Sequence, residues 1–276
     1  MNVERSGYFD KLAARCERIE SSLCIGLDPD PRRIPPKLGS GPDGVYKFCC
    51  EIVDATSDYA AAFKPNLAFF EAIGVEGWHV LNQVLERIDR QIPTIVDAKR
   101  GDIGSTAQFY ARSIFDRLKA DAVTVNPLLG HDSVEPFLTY ETKGIYVLCL
   151  TSNAGARDFQ IPDDLYLRIA SRADAWNKAG NVGLVVGATK PKQLTLVRKA
   201  APNLPILIPG LGAQGGDLDE LMSAARDEPR HFMLFNVSRS ILYASKGSDF
   251  GHAARKAARF YFDRINTARE KTLSDA

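Results

Sequence analysis

Gly144-Ile145-Tyr146-Val147-Leu148-Cys149-Leu150 carries no charge, and it stops at the polar trio Thr151-Ser152-Asn153. A strand with one wet face alternates apolar and polar residues, whereas a strand buried on both faces is apolar nearly throughout. This run is of the second kind. Working outward, the pattern recurs at a fairly regular interval. Ser22–Leu27, Tyr59–Phe63, Thr94–Asp97 and Ala122–Val125 precede it, and Val182–Val186, Ile206–Ile208 and Phe232–Phe235 follow it. Stretches of helical periodicity lie between the runs: Gly77–Arg90, Thr106–Lys119, Leu165–Lys178, Lys192–Ala200 and Asp217–Arg226. Eight doubly buried strands alternating with helices in 276 residues predict an α/β fold of the (β/α)8 TIM-barrel type, which typically takes about 250 residues. A doubly wound open sheet is the alternative. Its Gly-x-Gly-x-x-Gly fingerprint is missing after the first run, where Gly26-Leu27-Asp28-Pro29 stands instead.

The strand period continues across the Pro/Gly-rich stretch Pro29–Gly44, which therefore reads as a long loop and not a domain linker. One domain over residues 1–276 is expected. An N-terminal helix near Val3–Glu20 is expected to close the barrel bottom, and a last helix to run from about His252 to Lys271.

The composition is that of an ordinary globular protein, 45% hydrophobic and 25% charged, with a formal net charge of +1. Such a balance carries no footprint for nucleic acid or a membrane surface. No segment approaches the roughly 18 consecutive apolar residues of a membrane span. The charged N-terminus lacks the apolar core of a signal peptide, so a cytoplasmic protein is expected. The five cysteines (Cys16, Cys24, Cys49, Cys50, Cys149) and four scattered histidines show no zinc-type spacing. Buried free thiols and no metal site are expected. Arg100-Gly101-Asp102 also spells a cell-adhesion tripeptide, which reads as coincidence in a chain without an export signal.

Barrel enzymes keep their chemistry at the C-terminal ends of the strands. The apolar runs stop at Asp28, at Lys64-Pro65-Asn66, at Asp97-Ala98-Lys99-Arg100-Gly101-Asp102, at Asn126, at Thr151-Ser152-Asn153, and at Asn236-Val237-Ser238-Arg239. Loops are polar in any protein, but this much charge on apolar strands exceeds what a rim needs. Asp97 and Lys99 are two apart on a strand and so share a face. Asp28 and Lys64 end neighbouring strands. Opposite charges this close keep one another ionised. At about 4 Å and an effective dielectric near 20, each contact is worth roughly 4 kcal/mol before desolvation. A substrate carboxylate pressed against Asp97 is repelled by a similar amount, so the site holds a carboxylate badly and the carbanion left after its departure well. Lys99 is the ready proton donor. A structural ion pair is the other reading of Asp97 and Lys99.

A phosphate site is the second signal. Barrels often bind phosphate with the loops after strands seven and eight. Here four glycines fall between Gly210 and Gly216, with Gln214 among them and Arg239 after strand eight. Glycines let backbone N–H groups approach an anion, and a guanidinium fork matches phosphate oxygens. A flexible loop beside a structural arginine is the alternative.

Asp97-Ala98-Lys99-Arg100-Gly101-Asp102-Ile103-Gly104-Ser105-Thr106 resembles the signature of the orotidine 5′-phosphate decarboxylase family, in which Asp-x-Lys-x-x-Asp carries the catalytic charges. Asn126–Gly130, Val186–Pro191 and Gly210–Asp217 resemble the longer, bacterial-type branch, and the likeness extends from Leu27 to Arg239. The resemblance implies loss of CO₂ from orotidine 5′-phosphate to give UMP in de novo pyrimidine synthesis, with no metal and no organic cofactor. It implies that Lys99 protonates C6, that Asp97 faces the leaving carboxylate, and that Lys64 and Asp102 complete the charge network. It further assigns Asp28 and Asn66 to the ribose, Ser152 to the pyrimidine amide, and Gln214 and Arg239 to the phosphate. Asp102 and Thr106 would come from a partner subunit, making a homodimer the active unit. Ala154 departs from the family pattern, where a proline often follows Thr-Ser-Asn. Two rivals stay open: a Mg²⁺-dependent sugar-phosphate decarboxylase with the same Asp-x-Lys-x-x-Asp, and a barrel that binds a phosphorylated ligand without turning it over.

Overall fold

The computed structural model describes residues 7–211, 218–224 and 233–274. The strands are β1 (Leu23–Leu27), β2 (Ala62–Pro65), β3 (Ile95–Arg100), β4 (Ala122–Val125), β5 (Gly144–Leu150), β6 (Val182–Val186), β7 (Ile206–Pro209) and β8 (Met233–Val237). All neighbours pair in parallel, in the order β2-β1-β8-β7-β6-β5-β4-β3. The two ends of that sheet meet through the bridges Phe63–Thr94 and Asn66–Asp97, which curl it into a barrel. The fold class expected from the alternation is the one observed. β1, β2, β4 and β6 are buried at every position, which is why β1 and β6 read as unbroken apolar runs and β4 as one interrupted only by Thr124.

The helices are α1 (Tyr8–Ile19), α2 (Pro42–Thr56), α3 (Leu67–Glu71), α4 (Val75–Arg87), α5 (Gly104–Arg112), α6 (His131–Leu138), α7 (Ala156–Phe159), α8 (Leu165–Trp176), α9 (Pro191–Ala200), α10 (Leu218–Ala224), α11 (Arg239–Leu242) and α12 (Phe250–Ser274). The main core lies between strands and helices, with Phe48, Phe63, Phe70, Phe137 and Phe235 among its largest members. A second cluster fills the barrel near the N-terminal ends of the strands. There Tyr8, Leu12 and Cys16 of α1 pack on Cys24, Ala62, Ile95, Ala122 and Tyr146. Tyr8 and Tyr146 pair their hydroxyls at 3.3 Å. The five cysteines are free thiols, four of them buried.

Three local expectations need correction. The second strand is Ala62–Pro65, later than Tyr59–Phe63. Tyr59 instead closes the turn after α2, and Ser21 Oγ donates to its carbonyl oxygen at 2.7 Å. Lys64 stays inside the strand because a carboxylate meets it there, as described below. The loop after β1 ends at Gly41, because Pro42 starts a helix. Proline at the first helical position loses no hydrogen bond and pre-sets φ, so it opens α2 and does not break it. The stretch Thr106–Lys119 is not one α-helix: α5 passes into a π-helical turn at Ser113–Arg117.

Candidate active site

The site grows from β2 and β3, the two strands that close the barrel. Lys64 Nζ donates to Asp97 Oδ2 at 2.7 Å, and Lys99 Nζ donates to Oδ1 at 2.5 Å. The side chains of Lys64 and Asp97 are only 4% and 11% exposed, whereas that of Lys99 is 49% exposed. The inner pair is therefore largely buried, and the outer lysine reaches solvent. Burial works against charge on Lys64, but the carboxylates of Asp97 and Asp28 outweigh it and raise its pKa. Burial likewise opposes ionisation of Asp97, and the charges and hydrogen bonds of Lys64 and Lys99 outweigh it, holding the carboxyl well below the usual carboxylate range.

Simple alternation along a strand does not bring Asp97 and Lys99 together, and here the expectation needs a correction of cause. Val96 pairs with Val123 and Arg100 with Val125, so Asp97, Ala98 and Lys99 all lie opposite Thr124 alone. The result is a bulge. Lys99 takes φ +48°, a left-handed conformation that costs a residue with a Cβ about 1–2 kcal/mol. Thr124 Oγ1 accepts the Lys99 backbone N–H at 3.0 Å and donates to Asp97 Oδ1 at 2.9 Å. Beyond the bulge the ladder resumes, with Asn126 N–H donating to the Arg100 carbonyl at 2.7 Å. Arg100 itself pairs with Glu71 of α3 and lies 5.0 Å from the Tyr110 ring centroid.

A cavity of about 170 Å³ opens above this cluster, lined by Asp28, Lys64, Asn66, Asp97, Ser152 and Arg239 among the residues named from sequence. Asn66 also caps α3, its Oδ1 accepting the Ala68 N–H at 3.3 Å. Asp28 ends β1, whose next turn is clamped by Tyr243. That hydroxyl donates to the Asp28 carbonyl at 2.8 Å and accepts the Asp30 N–H at 2.6 Å. Ser152 is approached closely by the end of β6, and a Cβ on Gly187 would lie 2.7 Å from its backbone nitrogen. Asn236 and Ser238, part of the polar end of β8 but given no role by the sequence, line the same cavity. Their Oδ1 and Oγ, with Asp28 Oδ1, are buried without a hydrogen-bond partner in the protein. Buried polar atoms left unmatched in this way suit a ligand rich in hydroxyl and amide groups. They also crowd Gly26, where a Cβ would meet Ser238 Cβ at 2.7 Å.

Lys99, Asp102 and Thr106 are not among the residues that line this cavity within one chain, although Lys99 reaches it through its ion pair with Asp97. Asp102 accepts the N–H of Ile103 at 2.8 Å, and Thr106 is exposed on α5. Gln214, with most of its glycine-rich loop, lies outside the described residues. Among the described residues, no group of three or more His, Cys, Asp or Glu side chains is placed to hold a metal ion. Among them too, no helix is long and apolar enough to cross a membrane.

Comparison with known proteins points the chain to one family. The model for the orotidine 5′-phosphate decarboxylase / HUMPS family matches residues 21–256. The chain is 52% identical over 267 residues to the orotidine 5′-phosphate decarboxylase of Roseiflexus sp. (strain RS-1), an alignment covering 95% of this chain and 98% of the relative. It is 47% identical over 270 residues to that of Azoarcus sp. (strain BH72), covering 95% of this chain and 99% of the relative. Its fold superposes on the OMP decarboxylase of Leishmania donovani with a TM-score of 0.83 and 41% identity, over 95% of this chain and 98% of that one. A family match over most of the chain and identities of this size over nearly its full length establish that the chain belongs to the orotidine 5′-phosphate decarboxylase / HUMPS family.

Proposed function

We propose that the chain converts orotidine 5′-phosphate to UMP and CO₂ in pyrimidine biosynthesis, with its own charged side chains and no cofactor. The observation that carries this reading is the buried Lys64–Asp97 pair, which lines a cavity with unmatched polar atoms and carries the half-exposed Lys99 on the same carboxylate. Its relatives named orotidine 5′-phosphate decarboxylase favour the nucleotide over a sugar phosphate as substrate. Asp28 and Asn66 hold the ribose, Ser152 the pyrimidine amide, and Arg239 with Gln214 the phosphate. The substrate carboxylate then lies against Asp97, which stays ionised because two lysines hold it so. The C6–carboxylate bond breaks, CO₂ leaves, and the electron pair remains at C6. Lys99 Nζ gives its proton to that carbon, and water restores the ammonium. At about 4 Å and an effective dielectric near 20, relief of the carboxylate repulsion is worth roughly 4 kcal/mol, or about a thousandfold in rate.

A homodimer completes the site in this reading, with Asp102 and Thr106 supplied across the interface. Support comes from the surface around them: Ile103, Phe109, Leu128 and Leu129 are 57%, 65%, 60% and 55% exposed. Large apolar side chains left exposed suit an association surface. The whole chain acts as one barrel unit floored by α1, and it works in the cytoplasm.

The test is substrate choice. The purified chain is given orotidine 5′-phosphate and, separately, a keto-gulonate phosphate. Turnover of the nucleotide alone is expected. Turnover of the sugar phosphate alone overturns the assignment in favour of the Mg²⁺-dependent relative, and tight UMP binding with no CO₂ release leaves only a binding barrel.

A further inference from the structure

We propose that Thr124 is a positioning residue for the decarboxylation: its one hydroxyl fixes the bulge that sets Lys99 beside Asp97. The inference rests on the decarboxylase reading and deepens it. Thr124 sits in the apolar strand β4 between Val123 and Val125, and it is 1% exposed. A buried hydroxyl is unfavourable unless it is hydrogen-bonded. This one is bonded on both sides, to the two residues on which the chemistry depends.

The directions of those bonds are forced. An ionised carboxylate only accepts and a backbone N–H only donates. Thr124 Oγ1 must therefore spend its proton on Asp97 Oδ1 and a lone pair on the Lys99 N–H. Three residues of β3 face Thr124 alone, which makes it the partner on β4 for the Lys99 N–H. The same contact holds Lys99 at φ +48°, a conformation that needs outside support. Asp97 Oδ1 is shared between the threonine and Lys99 Nζ, so the hydroxyl also fixes the plane of the carboxylate. Thr124 does not line the cavity and lies outside the set of groups read as ribose and phosphate contacts. Its loss should therefore fall on the reacting geometry and spare ligand binding.

The test compares Thr124→Val, which keeps the shape and removes only the hydroxyl, with Thr124→Ser, which keeps the hydroxyl. Losing a hydrogen bond to a charged group and misplacing the proton donor should lower kcat about 10- to 100-fold in Thr124→Val. KM for orotidine 5′-phosphate and the Kd for UMP should stay near wild type, and Thr124→Ser should recover most of the lost kcat. The inference is overturned if Thr124→Val turns over like wild type, or if the serine variant is as impaired as the valine one. It is also overturned if kcat and UMP affinity fall together with Tm, which marks a role in folding alone. A crystal structure of Thr124→Val reads the bulge without reference to turnover: Lys99 should leave the left-handed region or its Nζ should part from Asp97. An unchanged bulge refutes the inference. A wild-type chain inactive on orotidine 5′-phosphate refutes the decarboxylase reading and leaves that structural test standing.

Discussion

Asp97→Asn removes one charge from the most deeply buried ion pair of the site and keeps the shape of the side chain. Lys64 Nζ lies 2.7 Å from Asp97 Oδ2, with the two side chains 4% and 11% exposed. At an effective dielectric near 20 that contact is worth about 6 kcal/mol before desolvation. Removing one partner of such a pair strands the other charge, at a cost of about 3–5 kcal/mol. Asparagine still offers Lys64 an acceptor oxygen, which argues for the lower end, about 3 kcal/mol. For a chain of this size that is a fall in Tm of roughly 6–12 °C at pH 7. The pH dependence carries a sign. In the wild type the Lys64 pKa is raised, so its contribution is complete below the unfolded value near 10.4 and is lost as pH rises through the folded value. In Asp97→Asn, burial remains and the strongest attraction is gone, so the folded pKa drops below the unfolded one. The unfolded chain then binds more protons, and stability rises with pH. Thermal unfolding at pH 7 and near pH 10 reads both effects: a clear deficit at neutral pH, narrowing in alkali. A variant as stable as wild type at pH 7, or a deficit that widens with pH, refutes the reasoning.

Lys99→Ala should abolish turnover and change Tm little, because the Lys99 side chain is half exposed and surface pairs contribute about 0–1 kcal/mol; a variant that keeps substantial turnover in the steady-state assay removes the proton donor from the mechanism. Arg239→Ala should weaken UMP binding about 10- to 100-fold and leave uridine binding unchanged; calorimetry showing equal losses for both would contradict a phosphate role. The depressed Asp97 pKa means that its stabilising contribution is present above the unfolded value near 3.9 and is lost only as pH falls through the folded one. Carboxyl NMR should therefore show no Asp97 inflection between about pH 4 and pH 8, and an inflection there counts against the doubly paired carboxylate. Ile103→Asp should yield monomers on gel filtration with little activity; a fully active monomer would remove the need for Asp102 from a partner.

The barrel was legible because parallel strands covered on both faces leave an unbroken apolar trace, and β4, β5 and β6 were bounded to the residue. The charges at the strand ends were legible because they interrupt that trace. What joins them was not. The bulge depends on register between β3 and β4, which a local pattern does not encode. Thr124 left one faint signal, a lone hydroxyl in an otherwise apolar four-residue run. Asn236 and Ser238 sat in plain sight at the end of β8, but their importance lies in having no partner, and that is known only once the packing around Gly26 is seen. The Tyr243 clamp on the β1 loop joins positions more than two hundred residues apart, beyond any periodicity. Composition misled at Pro42, where a residue that ends helices elsewhere begins one.

The central claim is that protein charges alone carry the reaction. It is tested most directly by following loss of orotidine 5′-phosphate absorbance with the purified chain, with and without EDTA. Rapid conversion to UMP at the same rate in both is the predicted result. Activity abolished by the chelator and restored by Mg²⁺ would contradict it.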